Sequence, residues 1–258
     1  RNAAATEIVA GLGAEPIRGD LADAGVLRAA AEAADGVIHL AAPRGEHLPE
    51  QDRAASDAMQ TGAAGKPYVH TGGSWVYGDT DGVVEEDAPF APPELVAWRL
   101  ANEKHVLDNA KAGGHPVLVM PGVVYGQREG GLIRAFYLDP ARAAGAVPCI
   151  GDGANHCAVV HAEDVAELYV LALGAAPGSV YFGVNGEAPT QRAVAEAISK
   201  VAGHPGRIRS IGLDQAHAEM GPIADAFVLD QQISNRRAVT ELGWKPQHTD
   251  VLAELAAS

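Results

Sequence analysis

Sulfur and aromatic side chains are scarce: the 258 residues include 2 cysteines, 3 methionines and 5% aromatics. Cys149 and Cys157 form no C-x-x-C pattern, which argues against a disulfide framework or a cysteine-built zinc site and makes a reducing cytoplasm the expected compartment. No apolar run approaches the ~20 residues that span a bilayer, and the chain does not open on a basic-then-apolar leader pattern, so no membrane partner is expected. Basic residues are outnumbered, 19 against 33 acidic, for a formal net charge of -14. A nucleic-acid backbone is therefore not an expected partner either. There is no internal repeat. The 10 histidines form no H-E-x-x-H or comparable cluster, and alternation along a short strand sends His156 and His161 to opposite faces. No metal is expected on these spacings.

What is present is 47% hydrophobic and 20% charged, ordinary for a globular chain with ample core. Helical patterns over Ala3–Leu12, Gly25–Ala34, His47–Ala63 and Glu94–Lys111 alternate with apolar runs at Glu15–Arg18, Val37–Ala42, Pro67–Thr71 and Val117–Met120. That alternation predicts βαβ units and a parallel sheet. Beyond Gly126 the pattern loosens. Leu132–Ala144 reads as helical but interrupted by Pro140, Val159–His161 as a strand feeding a helix at Glu163–Leu173, and Ser179–Gly183 as one more strand. The rest reads as helices with short connectors. In an open α/β sheet, ligands bind outside the carboxyl ends of the strands, which directs attention to Thr71-Gly72-Gly73-Ser74 and the helix that follows it.

Six segments stand in order: G-D-L at Gly19–Leu21, H-L-A-A at His39–Ala42, V-Y-G at Val76–Gly78, P-G-V-V-Y-G at Pro121–Gly126, V-H-A-E-D-V-A at Val160–Ala166 and R-A-V-T-E-L-G-W-K-P at Arg237–Pro246. Together they resemble the extended short-chain dehydrogenase/reductases of the NAD-dependent epimerase/dehydratase type, across nearly the whole chain. The resemblance implies an α/β fold: a Rossmann-like doubly wound parallel sheet (residues 1–126 and 156–186) with a smaller, mainly helical substrate domain (127–155 and 187–258). It places the first strand, glycine-rich turn and first helix ahead of Arg1. It also implies NAD(P), with Asp20 and Leu21 beside the adenine, Leu40, Ala41 and Ala42 under the cofactor, Thr71 at the end of its strand, and Pro121, Gly122 and Val123 facing the nicotinamide. Asp20 can equally cap the following helix. Arg1 falls where a basic residue pairs with the 2′-phosphate, which tilts the expectation toward NADP. Homodimerisation through 47–63 and 94–111 is implied by the same likeness.

The reaction centre departs from the pattern. The resemblance calls for a Ser or Thr before V-Y-G and a Tyr-x-x-x-Lys on the next helix, where i and i+4 share a face and the ammonium lowers the phenol pKa. Those positions fall on Gly73, Trp98 and Asn102, with Ser74 beside the first. An indole N–H only donates and an asparagine carries no charge. Catalytic candidates are therefore Ser74, Tyr77, Trp98, Asn102 and Tyr125. Substrate contacts are expected from Gly73, Arg99, His156 and Cys157, where Arg99 can orient an anion or pair with Glu103. His70 reads as a core histidine. The expected function is an NAD(P)-dependent oxidoreductase or epimerase-like enzyme of atypical type on a small organic substrate. The alternatives are a non-catalytic NAD(P) sensor and a redox-neutral isomerase or cyclase.

Overall fold

The computed structural model describes residues 3–42, 47–126 and 131–257. In chain order the first elements are α1 (Ala3–Gly11), α2 (Ala24–Ala33), β1 (Val37–His39), α3 (Leu48–Ala63), β2 (Pro67–Thr71) and β3 (Val83–Val84). Next come α4 (Glu94–Ala97), α5 (Arg99–Asp108), β4 (His115–Pro121), β5 (Val123–Tyr125), α6 (Asp139–Ala144), β6 (Val147–Ile150), β7 (Val159–His161) and α7 (Ala162–Ala172). The last are β8 (Val180–Gly183), α8 (Gln191–Val201), β9 (Ile208–Ile211), α9 (Leu213–Met220), α10 (Ala224–Phe227), β10 (Gln232–Ile233), α11 (Arg236–Leu242) and α12 (Val251–Leu255). Among these, no helix is long and apolar enough to cross a membrane.

In the first unit the sheet strands stand in the order β1-β2-β4. β1 and β2 run parallel, with Val37 opposite Tyr68 and His39 opposite His70. The continuous apolar runs suit strands covered on both sides: Val69, Val117 and Val119 are fully buried. Only three of the six residues in Val37–Ala42 stay in the ladder; Leu40–Ala42 leave it. Glu15–Arg18, expected as a strand, is irregular. A strand needs a hydrogen-bonded neighbour, and no described segment offers it one.

The chain divides into two compact units. One comprises residues up to Thr71 with Ala101–Leu118 and Ala175–Ser179; the other comprises Gly72–Leu100, Val119–Gly174 and the chain from Val180 onward. This division differs from the one the family likeness implies. The reason lies in the second unit, where Val123, Tyr125 and Val159 pack in one core with Val147, Val194 and Ile198.

Within the first unit, α3 begins with Pro49 in its first turn, where the missing N–H costs nothing, and ends at Ala64 in the left-handed region (φ 51°) followed by Gly65 (φ 89°). Its buried face (Ala55, Ser56, Met59, Gly62, Ala63) recurs at helical spacing. α2 ends under Lys66, whose ammonium donates to the carbonyls of Ala31, Glu32 and Ala34 at 3.2, 2.8 and 2.6 Å, a favourable place for a cation at a helix C-terminus. The buried His39, Tyr68 and His70 share a hydrogen-bond chain, with the Tyr68 hydroxyl 3.0 Å from His39 Nδ1 and 2.9 Å from His70 Nδ1. His70 is thus the core histidine its strand position suggested.

In the second unit β5 pairs with β7, β6 with β9 and β3 with β10, all parallel. The short strand β6 lies in the stretch where the pattern loosens, and β9 and β10 in a tail that reads as helical; none was legible. Pro140 does not interrupt its helix: it occupies the first turn of α6, directly after a wide π-type turn at Arg134–Leu138 that has already shifted the hydrogen-bond register. The helix expected over Glu94–Lys111 is broken at Trp98 into α4 and α5 and finishes as a 3₁₀ turn, Asn109–Ala112.

Candidate functional site

In the first unit a cavity of about 550 Å³ gathers Gly19, Asp20, Leu21, Ala41 and Ala42, with Val26, Leu27 and Ala30 of α2 as its apolar wall. Its formation follows from the local chain. Gly19 allows close approach to α2, since a Cβ there would lie 2.9 Å from Val26 Cγ1. Asp20 Oδ1 accepts from the Ala22 amide at 3.2 Å, and Asp23 Oδ2 accepts from the Asp20 amide at 2.7 Å. Asp23, not Asp20, holds the N-cap position of α2, so the capping alternative for Asp20 falls away. The two alanines line the floor because β1 releases the chain after His39. Leu40, just before them, is 61% exposed and does not line the cavity.

Apolar walls, small floor residues and a carboxylate acceptor at the rim fit an adenosine: a flat ring that needs van der Waals faces and one acceptor for its exocyclic amine. No lysine or arginine is among the described lining residues. Arg1, the residue that tilted the expectation toward NADP, lies outside the described residues. Thr71 closes the end of β2 by donating to the His39 carbonyl at 2.7 Å.

The catalytic candidates are placed differently from expectation. Ser74 is buried, and its hydroxyl donates to Gln231 Oε1 at 3.3 Å, while Gln231 Nε2 donates to the carbonyls of Ser74 and Gly78, each at 2.9 Å. It is one half of a clamp. Tyr77 is buried between Phe90 and Phe182, with ring centroids at 4.9 and 4.8 Å, and donates to the Glu86 carbonyl at 3.0 Å. Asn102 donates to the Pro49 carbonyl at 2.8 Å and to Asp52 Oδ2 at 3.0 Å, which makes it a strut between α5 and α3. Tyr125 donates toward the His248 carbonyl (3.2 Å) and Glu254 Oε2 (3.3 Å). Burial and the Glu254 charge raise its pKa further above the ordinary phenol value, away from proton transfer near neutrality. In this structure these four side chains pack and tether neighbouring segments.

Trp98 is half-buried at the break between α4 and α5, and the Arg99 guanidinium stacks 4.8 Å from its ring centroid, a cation–π contact that occupies Arg99. Gly73 is extended (φ -172°), and a Cβ there would meet nothing within 4 Å. The hydroxyl missing from that position is therefore not excluded by crowding. Gly122 is required by packing: an added Cβ would lie 2.5 Å from the Ala158 carbonyl oxygen. Its amide donates to Gly183 O at 3.1 Å, and that of Val123 to Ala158 O at 2.8 Å. Pro121 ends β4 immediately before this crossing.

A second, narrow cavity, about 10 Å³ and room for roughly one water, brings Val123 together with His156 and Cys157 and adds Trp75, Gln191 and Gln231. Here the chemistry is distinctive. Asp230 Oδ1 accepts from both the backbone amide and Nδ1 of His156, each at 2.8 Å. Asp230 is itself held: its amide donates to Asp79 Oδ1 at 2.8 Å and its carbonyl accepts from the Thr80 amide at 2.8 Å. Burial opposes ionisation of Asp230, but the two His156 bonds outweigh it and keep its carboxyl below the ordinary value. With Asp230 ionised, Nδ1 of His156 must be the donor, which leaves the lone pair on Nε2. This is a histidine oriented by a carboxylate, the arrangement of a general base.

Asp230, Trp75, Gln191 and Gln231 were not singled out from the sequence. Asp230 lies 74 residues from His156, and no spacing rule links them. Cys157 beside this pair is buried, and desolvation pushes its thiol up to about 12. Relative to an ordinary thiol near 9.0, that leaves about 10³-fold less thiolate, the reactive form. Iodoacetamide at pH 8 is accordingly expected to leave Cys157 unmodified in the native protein and to label it after denaturation. Peptide mass spectrometry checks this, and rapid native labelling would contradict the burial.

The signature of the NAD dependent epimerase/dehydratase family matches residues 1–181. Among curated proteins, the chain is 29% identical over 253 residues to the Saccharomyces cerevisiae "Uncharacterized protein YLL056C", covering 95% of this chain and 83% of the relative. It is 27% identical over 254 residues to the Schizosaccharomyces pombe "Uncharacterized protein C2A9.02" (95% and 84%). Among solved structures, it is similar to the DesIV double mutant, a dTDP-glucose 4,6-dehydratase from Streptomyces venezuelae with NAD and DAU bound (TM-score 0.81, 21% identity, 99% of this chain and 82% of that one). It is also similar to the UDP-glucose 4-epimerase of Thermus thermophilus in complex with NAD (TM-score 0.74, 21% identity, 95% and 83%).

Proposed function

The chain belongs to the NAD dependent epimerase/dehydratase family, and from that premise we propose that it is an NAD(P)-dependent oxidoreductase or epimerase-like enzyme whose proton is moved by His156 and Asp230 in place of a Tyr-x-x-x-Lys centre. The observation that carries this reading is His156, held by Asp230 at 2.8 Å, lining one cavity with Val123, the residue expected to face the nicotinamide. NAD(P), when bound, supplies the hydride acceptor or donor. The protein's own part is to hold the adenosine against Asp20, Leu21, Ala41 and Ala42, and to take a hydroxyl proton on His156 Nε2 or return it to a carbonyl oxygen. Asp230 holds the ring in the required tautomer and stabilises the imidazolium that results.

The lining of the His156 cavity also bears on the substrate. Trp75, Phe227, Leu229 and Ala226 are apolar, Gln191 and Gln231 are neutral, and no guanidinium or ammonium is among the described lining residues. A space of about 10 Å³ admits only the reacting hydroxyl or carbonyl group, and the reading is confined to that group.

Calorimetric titration of the full-length protein with NADH and NADPH, followed by turnover on panels of ketones and nucleotide sugars, tests the reading. Binding is expected, with Asp20→Ala weakening it about tenfold, the equivalent of one lost hydrogen bond at about 1.4 kcal/mol. Failure to bind either cofactor would overturn the reading. Tight binding with no turnover on any ketone or alcohol would favour a sensor.

A further inference from the structure

Outside that site, the second unit holds a cavity of about 620 Å³ lined in part by Tyr125, Arg142, His161, His248 and Glu254. At its wall, ligand-type atoms of His161, Glu163 and His248 all lie within 4.8 Å of one another. From this cluster we infer a binding site for a divalent transition metal of the zinc class, held by His248, Glu163 and His161.

The argument starts from the proton count on one ring. His248 Nδ1 lies 3.1 Å from Glu254 Oε2, and Nε2 lies 3.3 Å from Glu163 Oε2. A neutral imidazole has one N–H. Protonated, the ring donates to both carboxylates; with Nδ1 still giving its N–H to Glu254, a metal ion can take the place of the proton between Nε2 and Glu163. The separation suits one: ligand atoms on a tetrahedral ion with bonds of about 2.0–2.2 Å stand about 3.4 Å apart.

The outer partners are also in place. Metal-bound histidines give their other N–H to a carboxylate that fixes the ring. Glu254 does so here and is itself held by the Tyr125 hydroxyl at 3.3 Å. Two imidazoles and one carboxylate select zinc, cobalt or nickel over magnesium or calcium, which take oxygen donors. Both histidines also line the cavity.

His161 must move to join. Its ring stacks on His248 with centroids 3.5 Å apart and planes at 19°, and its Nδ1 accepts from the Glu163 amide at 3.2 Å. Coordination through Nδ1 turns the ring out of the stack and releases that helix cap. The ion would bridge the first turn of α7 to the connector between α11 and α12. The expectation of no metal came from local spacing; Glu163 and His248 are 85 residues apart in sequence, and only the fold brings them together.

The test needs neither cofactor nor turnover, so it stands apart from the enzymatic reading. Metal-stripped full-length protein is titrated with Co²⁺, followed by its visible absorption, and with Zn²⁺ by calorimetry. The expected result is one ion per chain, an intense four-coordinate Co²⁺ spectrum and its displacement by Zn²⁺. Glu254→Gln should weaken binding about 10–100-fold, and Glu163→Gln at least as much. The Glu163 side chain is 80% exposed, so that variant tests the site without disturbing the core even where His248→Ala fails to fold. His217→Ala, which breaks the separate His217–Asp225 pair (2.7 Å), should change nothing. A six-coordinate spectrum, or affinity unchanged in Glu163→Gln and Glu254→Gln, would mean an adventitious ion only and would overturn the proposal.

Discussion

Alanine at His156 is expected to lower kcat by about 10²–10⁴-fold, the usual worth of a positioned general acid–base, with NAD(P)H affinity unchanged. The expectation rests on elimination as much as on geometry. Of the hydroxyls proposed for the reaction centre, those of Ser74, Tyr77 and Tyr125 donate to Gln231, to the Glu86 carbonyl, and to the His248 carbonyl and Glu254. His156 instead has Nδ1 committed to Asp230, and Nε2 has no partner among the described residues. Asp230→Asn separates orientation from basicity. The amide can still occupy the space, but it cannot stabilise the imidazolium and can present its N–H₂ to Nδ1, favouring the wrong tautomer. Activity should fall, and the ionisation assigned to His156 should move in the pH–rate profile, whereas a merely structural role would change stability and leave the profile in place. A His156→Ala enzyme with near-normal kcat would sink the assignment and return attention to Trp98.

How far the site could be read from the sequence depended on the range of the contacts. α3 was legible because its start and end signals, Pro49 and Ala64-Gly65, are local, and its buried face repeats at helical spacing. Asp20, Leu21, Ala41 and Ala42, grouped by the family likeness, line one cavity, Ala41 and Ala42 following closely on β1. The Glu15–Arg18 strand was misread because strand formation depends on a neighbour that local sequence cannot report. The tethers of Ser74 and Asn102 were hidden for a related reason. Their residue types fit catalysis, but their partners Gln231 and Pro49 lie 157 and 53 residues away. The same limit hid Asp230 from His156 and His248 from Glu163. Polar side chains keep their chemistry in the sequence, but their availability is decided by which other polar groups the fold brings to them.

Gly62→Ala is expected to destabilise the protein by about 2 kcal/mol, although alanine is the better helix former by about 1 kcal/mol. Two effects oppose each other, and the distances decide the sign. A Cβ at Gly62 would lie 2.2 Å from the Arg28 backbone oxygen and 2.9 Å from Ala31 Cβ, both on α2. A backbone carbonyl inside a helix cannot turn aside as a flexible side chain can, so α2 and α3 must separate; overpacking of this kind costs about 1–3 kcal/mol and occasionally more. The net loss should lower the melting temperature by about 4–8 °C for a chain of this size. The consequence reaches the proposed cofactor site, because Val26, Leu27 and Ala30 on α2 wall the cavity proposed for the adenosine. Lys66 meanwhile holds the C-terminal carbonyls of α2, so the strain is taken up toward its N-terminal half, where Val26 lies. NAD(P)H affinity should therefore fall along with stability. Gly73→Ala is the control, since its Cβ meets nothing within 4 Å and its extended backbone accepts any residue. Calorimetric melting and cofactor titration of both variants check the pair. A Gly62→Ala protein as stable as the parent, with unaltered affinity, would show that helix propensity outweighs the close crossing of α2 and α3.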